Sequence, residues 1–294
     1  MAGESGGTPG TVAALHVYPV KSCAGVSLAS SVLLETGLEF DRTWMVVDAA
    51  GNFLTQRELP RMVLVQPQLR AFEMVLRAPG MLALHIALSQ AEAPAQVQLW
   101  GEELAATDMG PVAAQWFSDF LGVPARLVRF DPAGQRASSQ QWTDGVVALN
   151  QFNDGFPVLV ISNASLAHFN ARLAAKGIAA VGMERFRPNI VLAALPGATP
   201  LAPHAEDWLD LLHIKTDEGA ALLRMVKPCP RCPIPNVDPA TGMCGTEVGD
   251  LLQSYRQNSR LNGAVSFGMN AIGLGGVGQR LRVGQLVDAS LRFD

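Results

Sequence analysis

Short apolar stretches broken by turn residues recur through the first third of the chain: Val12 to Pro19, Trp44 to Asp48, Met62 to Val65, Phe72 to Leu76, Leu82 to Leu88 and Val97 to Trp100. Ala49-Ala50-Gly51-Asn52, Ala78-Pro79-Gly80 and Glu92-Ala93-Pro94 divide them. Runs of this length and spacing read as strands of an antiparallel sheet or small barrel. A helix is expected next, starting near Pro111, with Val112, Trp116, Phe117 and Phe120 on one face and Gly122 at its end. Pro124 to Phe130 reads as a further strand, and the polar stretch Asp131 to Asp144 as a linker. Beyond it a second helix is capped by Ser162 or Asn163, carries Leu166, Phe169 and Leu173 at helical spacing, and has Gly177 as its C-cap. Strands follow at Asn189 to Ala193 and Leu222 to Val226, and the Gly-rich tail from Gly263 is β-like. The expectation is an α+β, β-rich protein in two parts.

With 294 residues, 49% hydrophobic and 16% charged, the chain can bury a sizeable core and is not of disordered composition. Its longest apolar runs, such as Phe156 to Ile161, are too short to cross a bilayer, so no membrane association is expected. Residues 1–10 carry neither a basic nor an apolar segment of a signal peptide and read as a flexible tail. The formal charge is -4, from 22 Lys+Arg against 26 Asp+Glu, with no basic block to track a phosphate backbone. Nucleic-acid binding is thereby disfavoured. Four cysteines, Cys23, Cys229, Cys232 and Cys244, without a secretory signal point to a reducing compartment, by default the cytoplasm.

The chemistry concentrates in Lys227-Pro228-Cys229-Pro230-Arg231-Cys232-Pro233-Ile234-Pro235. Two cysteines held between prolines beside an arginine and a lysine should be partly thiolate. A thiolate is a soft ligand or a nucleophile, which leaves a bound metal, a redox pair and a covalent catalyst open. A structural zinc site needs four ligands, and Cys229, Cys232 and Cys244 supply three; His213 reads as a satisfied, partly buried side chain rather than the fourth. A dithiol redox motif is strongest at a helix N-terminus, which Pro233 and Pro235 disfavour. Cys229 itself reads as a small buried hydrophobe, as do Cys23 and Cys244. Gly273-Leu274-Gly275-Gly276-Val277-Gly278 matches a dinucleotide fingerprint, but the chain ends too soon after it for the helix, strand and acidic residue such a site requires.

Three basic elements, Val20-Lys21-Ser22, Asp41-Arg42-Thr43-Trp44 and Phe186-Arg187-Pro188-Asn189, each sit where an apolar run meets a turn. Singly, such residues are usually solvated surface charges. Together with Cys232 they could hold an anionic, metal-bearing ligand, arginine offering a planar fork and lysine a point charge.

These segments, with Tyr18-Pro19, Cys23, Phe40, Leu54-Thr55-Gln56-Arg57 and Ile190, fall in an order that resembles MOSC-domain proteins, in particular the YcbX-like proteins and the mitochondrial amidoxime-reducing components. The resemblance runs from about Val12 to Val287. It implies an N-terminal β-barrel-like domain over residues 11–130 packed on a MOSC domain over 131–294, itself β-barrel-like with helices, and a molybdenum cofactor between them. It places the molybdenum ligand and catalytic residue at Cys232. It assigns pterin and phosphate contacts to Lys21, Ser22, Arg42, Arg187 and Asn189, and the pocket's further lining to Asp154, Gly155, Arg231 and Asn270. It carries as well a family-level association with pyridoxal phosphate. The implied activity is reduction of small N-hydroxylated compounds, amidoximes or hydroxylamines. The implied partner is a separate electron-donor protein, a flavin, iron-sulfur or haem reductase, because no cysteine follows Cys244 to build an iron-sulfur cluster in the chain. Sulfur transfer through a Cys232 persulfide and non-enzymatic carriage of the cofactor are the alternatives. Pro230, where relatives often have serine, and Asn270, where the animal proteins have tyrosine, depart from the pattern.

Overall fold

The computed structural model describes residues 8–292. The tail expected over residues 1–10 lies outside them as far as residue 7, and from Thr8 onward the chain is already strand. That strand, Thr8–Val17, pairs with Ile190–Ala194 on one side and Leu286–Leu291 on the other, joining the two ends of the sheet. Between those ends run Val158–Ser162, Ser266–Gly275, Gly219–Pro230 and Leu209–Thr216, so seven strands close into a barrel. Closure leaves no free sheet edge among them. All pairs are antiparallel except Val158–Ser162 with Ile190–Ala194, which are parallel and joined through the helix Asn163–Ala174. Alternation fills the interior: Val158 and Val160, Ile190 and Leu192, Leu212 and Ile214, Met269 and Ala271 all join one buried cluster.

Further N-terminal strands form a four-stranded sheet ordered Trp44–Val47, Arg126–Phe130, Glu102–Asp108, Ala93–Leu99, and a three-stranded one of Gln66–Leu69, Glu73–Arg77 and Leu84–Ala87. The helix Pro111–Leu121 starts on proline and stops at Gly122, which is left-handed at φ 73. Proline's fixed φ suits a first helical turn, and glycine has no Cβ to oppose the stop. It buries Ala113, Trp116, Phe117, Phe120 and Leu121; Val112, expected on this face, points to solvent at 71% exposure.

Other expectations are corrected. Met62 and Val63 are buried, but within a 3-10 helix, Pro60–Leu64, rather than a strand: a short apolar run has no period that separates the two, and Pro60 is placed for a helical start. The second helix takes Ser162 as N-cap, whose Oγ accepts from the Ser165 N–H at 3.1 Å, but its C-cap is Ala175 and not Gly177. Asp131 to Asp144 is not a bare linker. It contains Arg136–Ala137, paired with Leu149–Asn150, and the helix Gln140–Thr143. Buried Arg136 donates to Asn150 Oδ1 (2.6 Å), Gln151 O (3.0 Å) and Asn153 O (2.7 Å), and ion-pairs with Glu102 at 3.1 Å. One guanidinium thus ties the four-stranded sheet to the loop that precedes Val158–Ser162.

Candidate functional site

All ten residues singled out in the sequence, Lys21, Ser22, Arg42, Asp154, Gly155, Arg187, Asn189, Arg231, Cys232 and Asn270, line one cleft of about 750 Å³, its open mouth included. Apart from Asn270 they sit on turns at strand ends, where a rigid scaffold presents ligand groups. Cys232 lies between the end of Gly219–Pro230 and the 3-10 helix Ile234–Asn236. The ladder to Ser266–Gly275 slips twice on the way there, between Met225 and Lys227 and between Pro228 and Pro230. Bulges accommodate the prolines, which cannot donate to a ladder, and turn the strand's end into the cleft.

The backbone is forced at this spot. Ser22, Arg42 and Arg187 hold φ values of 67, 51 and 58, a left-handed region that costs a non-glycine residue about 1–3 kcal/mol. Such strain persists only when neighbours over-determine it. The Arg42 guanidinium donates to both Asp41 oxygens at 2.7 Å and to Asn189 Oδ1 at 3.3 Å. Asp41 in turn accepts from the Tyr18 N–H (2.9 Å) and Asn153 Nδ2 (3.0 Å). Arg187 donates to Cys23 O at 2.7 Å. The Tyr18 ring lies 4.2 Å from the Arg42 guanidinium and 4.1 Å from that of Arg187, and its hydroxyl donates to Pro188 O at 3.1 Å.

Five cationic side chains, Lys21, Arg42, Arg57, Arg187 and Arg231, face one carboxylate of the cleft wall, Asp154. Burial, and next the neighbouring Arg42, pull Arg187 down to about 10. Burial likewise lowers Lys21, against the pull of Asp154, to which it is ion-paired while donating to Phe152 O at 2.7 Å. Desolvation opposes ionisation of Asp154, but Lys21, then Arg42 and Arg57, hold its carboxyl well below the usual range. Its side chain is 68% exposed, at the mouth.

Several polar groups here have no partner among the described residues: the Ser22 hydroxyl, the Asn270 amide and the buried Nε of Arg231. Unpaired donors in an electropositive cleft suit an anionic ligand with many acceptor oxygens. A half-buried thiol beside them adds a soft ligand for a metal. The residues present therefore fit a metal held by an anionic organic group. Asn189 is largely satisfied by the fold itself, accepting from the Leu159 N–H (3.0 Å) and donating to His16 O (3.2 Å).

The expectation that both motif cysteines are partly thiolate fails for Cys229: burial pushes its thiol up, Arg231 only partly offsetting this through a hydrogen bond to Sγ at 3.2 Å. Burial pushes Cys23 up to about 12. Cys244, read as buried, is exposed, and so is His213 on Leu209–Thr216. Among the described residues no group of three or more His, Cys, Asp or Glu is placed to hold a metal. Gly273 and Gly275 lie in a strand, and after the turn at Gly278 comes another, Arg280–Arg282, not a helix.

Sequence reasoning misses two side chains: Arg57, which lines the cleft, and Trp100, whose ring lies against the Arg57 and Lys21 side chains. Arg57 closes the Leu54-Thr55-Gln56-Arg57 motif without a role of its own, and Trp100 reads in the sequence as the end of a strand. Trp100 forms the turn between Ala93–Leu99 and Glu102–Asp108, where the dipeptide Trp100-Gly101 follows an apolar run.

Sequence comparison gives the same architecture a class. The MOSC N-terminal beta barrel domain matches residues 9–124 and the MOSC domain residues 149–288. The chain belongs to the MOSC-domain family. Within it, the chain is 35% identical over 259 residues to mitochondrial amidoxime reducing component 2 of Rattus norvegicus, covering 84% of this chain and 72% of that one. It is 36% identical over 258 residues to mitochondrial amidoxime-reducing component 1 of Homo sapiens, with the same coverage. The human molybdenum cofactor sulfurase is 28% identical over 280 residues, 89% of this chain but 30% of its own length. No helix among the described residues is long and apolar enough to cross a membrane.

Proposed function

We propose that this protein is a molybdenum-cofactor oxidoreductase that reduces N-hydroxylated compounds, with Cys232 as the protein's ligand to the metal. The observation that carries the reading is the joining of Cys232 to a cationic cleft with unpaired donors, in a chain that matches amidoxime-reducing components over most of its length. The cofactor, when bound, supplies two-electron chemistry: an amidoxime, two electrons and two protons give an amidine and water. The chain's own residues bind and orient. Arg42 and Arg187, braced by Tyr18 and Asp41, meet the ligand's phosphate. Ser22, Arg231 and Asn270 offer their unpaired groups to its ring. Lys21 and Asp154 form a charged pair beside the mouth through which substrate enters. Electrons come from a separate flavin, iron-sulfur or haem protein. The cytoplasm is the proposed compartment, on the four free thiols.

Elemental analysis of wild type and Cys232→Ser side by side tests this, followed by amidoxime reduction with a chemical electron donor. Near-stoichiometric molybdenum, lost together with turnover in the variant, is expected. Full molybdenum-dependent turnover in Cys232→Ser would sink the reading. The match to the cofactor sulfurase favours a second one, sulfur transfer through a Cys232 persulfide. An added sulfur on intact-mass analysis after incubation with a cysteine desulfurase is its signature.

A further inference from the structure

Trp100 bears two costs that the fold does not need. It takes a left-handed φ of 54 in a two-residue hairpin turn with Gly101 at φ 84, a place where asparagine or glycine is favoured. It also leaves an indole 43% exposed. An outlier of this kind points toward function rather than folding. Its surroundings say which function. The Phe53 ring lies 4.7 Å away, tilted by 56°, the Lys21 ammonium 5.6 Å away, and the Arg57 guanidinium 4.7 Å from the indole centroid.

Arg57 is held by that ring and by Nε donating to Thr55 Oγ1 at 3.2 Å. Its two terminal nitrogens have no hydrogen-bond or ion-pair partner among the described residues, although it lines the cleft. The nearby carboxylates are occupied elsewhere. Asp154 pairs with Lys21, and Glu58 accepts from the Thr55 hydroxyl at 2.6 Å. Asp154 feels the Arg57 charge but does not hydrogen-bond to it, and an aromatic surface beside a pre-set guanidinium fork with free terminal N–H groups matches a flat ring that carries an anionic group.

Resting on the oxidoreductase reading, we propose that Trp100 and Arg57 are specificity-determining residues, and that they select planar aromatic N-hydroxylated substrates bearing a carboxylate. Trp100 takes the ring and Arg57 the carboxylate, so the N–OH end is left to enter the cleft past Lys21 and Asp154.

Calorimetric affinities of the purified protein for acetamidoxime, benzamidoxime and 4-carboxybenzamidoxime test this without any turnover. Stacking and a charge-assisted fork should each contribute about a tenfold gain, so affinity rises in that order. Trp100→Asn, which suits the left-handed turn better and so does not threaten folding, should close the gap between the first two. Arg57→Gln should close the gap between the last two, with molybdenum content kept at the wild-type level. Equal affinity of wild type for all three compounds overturns the proposal, as do gaps that survive the two substitutions. Molybdenum lost from Arg57→Gln overturns it as well, by moving Arg57 to the cofactor. The same three compounds with reduced methyl viologen, which supplies the two electrons, then separate the two readings. Ordered affinities without turnover leave the aromatic shelf standing and remove the reductase, whereas turnover with equal KM for all three does the reverse.

Discussion

Ionisable side chains are buried in two regions of this molecule, and the two treat charge in opposite ways. In the cleft, the Arg42 guanidinium faces the Asp41 carboxyl at 2.7 Å, and that neighbour keeps Arg42 charged against the cost of burial. Against the helix Asn163–Ala174, Glu206 is 1% exposed and meets no cation among the described residues. Its Oε2 accepts from the Ser162 and Ser165 hydroxyls at 2.8 and 2.7 Å, Oε1 has no partner, and burial pushes its carboxyl up. Beside it His204, packed against His168, Tyr255 and Phe267 with both ring nitrogens unpartnered, is driven down to about 3, first by burial and then by Arg256. Burial without a counter-charge removes the charge; burial with one retains it. Only the second arrangement keeps a field that can hold an ionic ligand, which is why the cleft and not the Glu206 cluster reads as the site.

One isosteric exchange, carboxyl to carboxamide, puts the contrast at risk. Asp41→Asn leaves the Arg42 guanidinium without its counter-charge and should cost about 3–5 kcal/mol in denaturant unfolding at pH 7. Glu206→Gln should cost less than about 1 kcal/mol, since it replaces a group whose neutral form burial already favours. The pH dependence has a definite sign. With a folded pKa above the ordinary 4.5, Glu206 binds a proton that the unfolded chain has released, so wild-type stability falls as pH rises from 4.5 to the folded value and is level beyond it. Glu206→Gln lacks that fall and should gain on wild type across the window. Equal losses for the two substitutions would erase the distinction between the regions.

His204 gives a smaller effect of the opposite sign. The unfolded chain takes up its proton below about 6.5, but the folded protein does so only near 3, so stability is lost as pH falls between those values. His204→Asn keeps a residue type tolerant of the φ of 61 found there and should unfold at a lower pH than wild type. An unchanged acid midpoint would mean that the ring is hydrated and protonated in the folded state.

The two regions were not equally legible. Cys232 and its basic companions could be found because each stands on a turn beside an apolar run, a local pattern. The Glu206 cluster leaves no such trace: Ser162, Ser165, His204 and Tyr255 are drawn together by the barrel and by nothing local in the chain. The same holds for the fold. Strand content and the Pro111 helix follow from neighbouring residues, whereas barrel closure needs Thr8–Val17 to meet Ile190–Ala194 and Leu286–Leu291, and no periodicity records a partner that distant. It also makes the first described strand hydrogen-bond with the last, Thr8–Val17 with Leu286–Leu291. Trp100 escaped because a tryptophan after Val97-Gln98-Leu99 looks like more strand, and only its left-handed φ reveals a turn.

The smallest expected effect concerns a place where a buried cation meets a solvated carboxylate. Lys21 is buried while its partner Asp154 is 68% exposed, so the pair is half in water and screened there. Asp154→Asn should therefore cost about 1 kcal/mol or less, well below Asp41→Asn, although both remove a carboxylate from an ion pair. Lys21 held its carboxyl below the ordinary 3.8, so the stability it adds is present above that value and is lost as pH falls through the folded one. The wild type should exceed the variant at neutral pH and converge with it in strong acid, and 1 M salt should narrow the gap at neutral pH. A loss as large as that of Asp41→Asn would show that the mouth is as dry as the cleft's floor, and that depth rather than counter-charge separates the two regions.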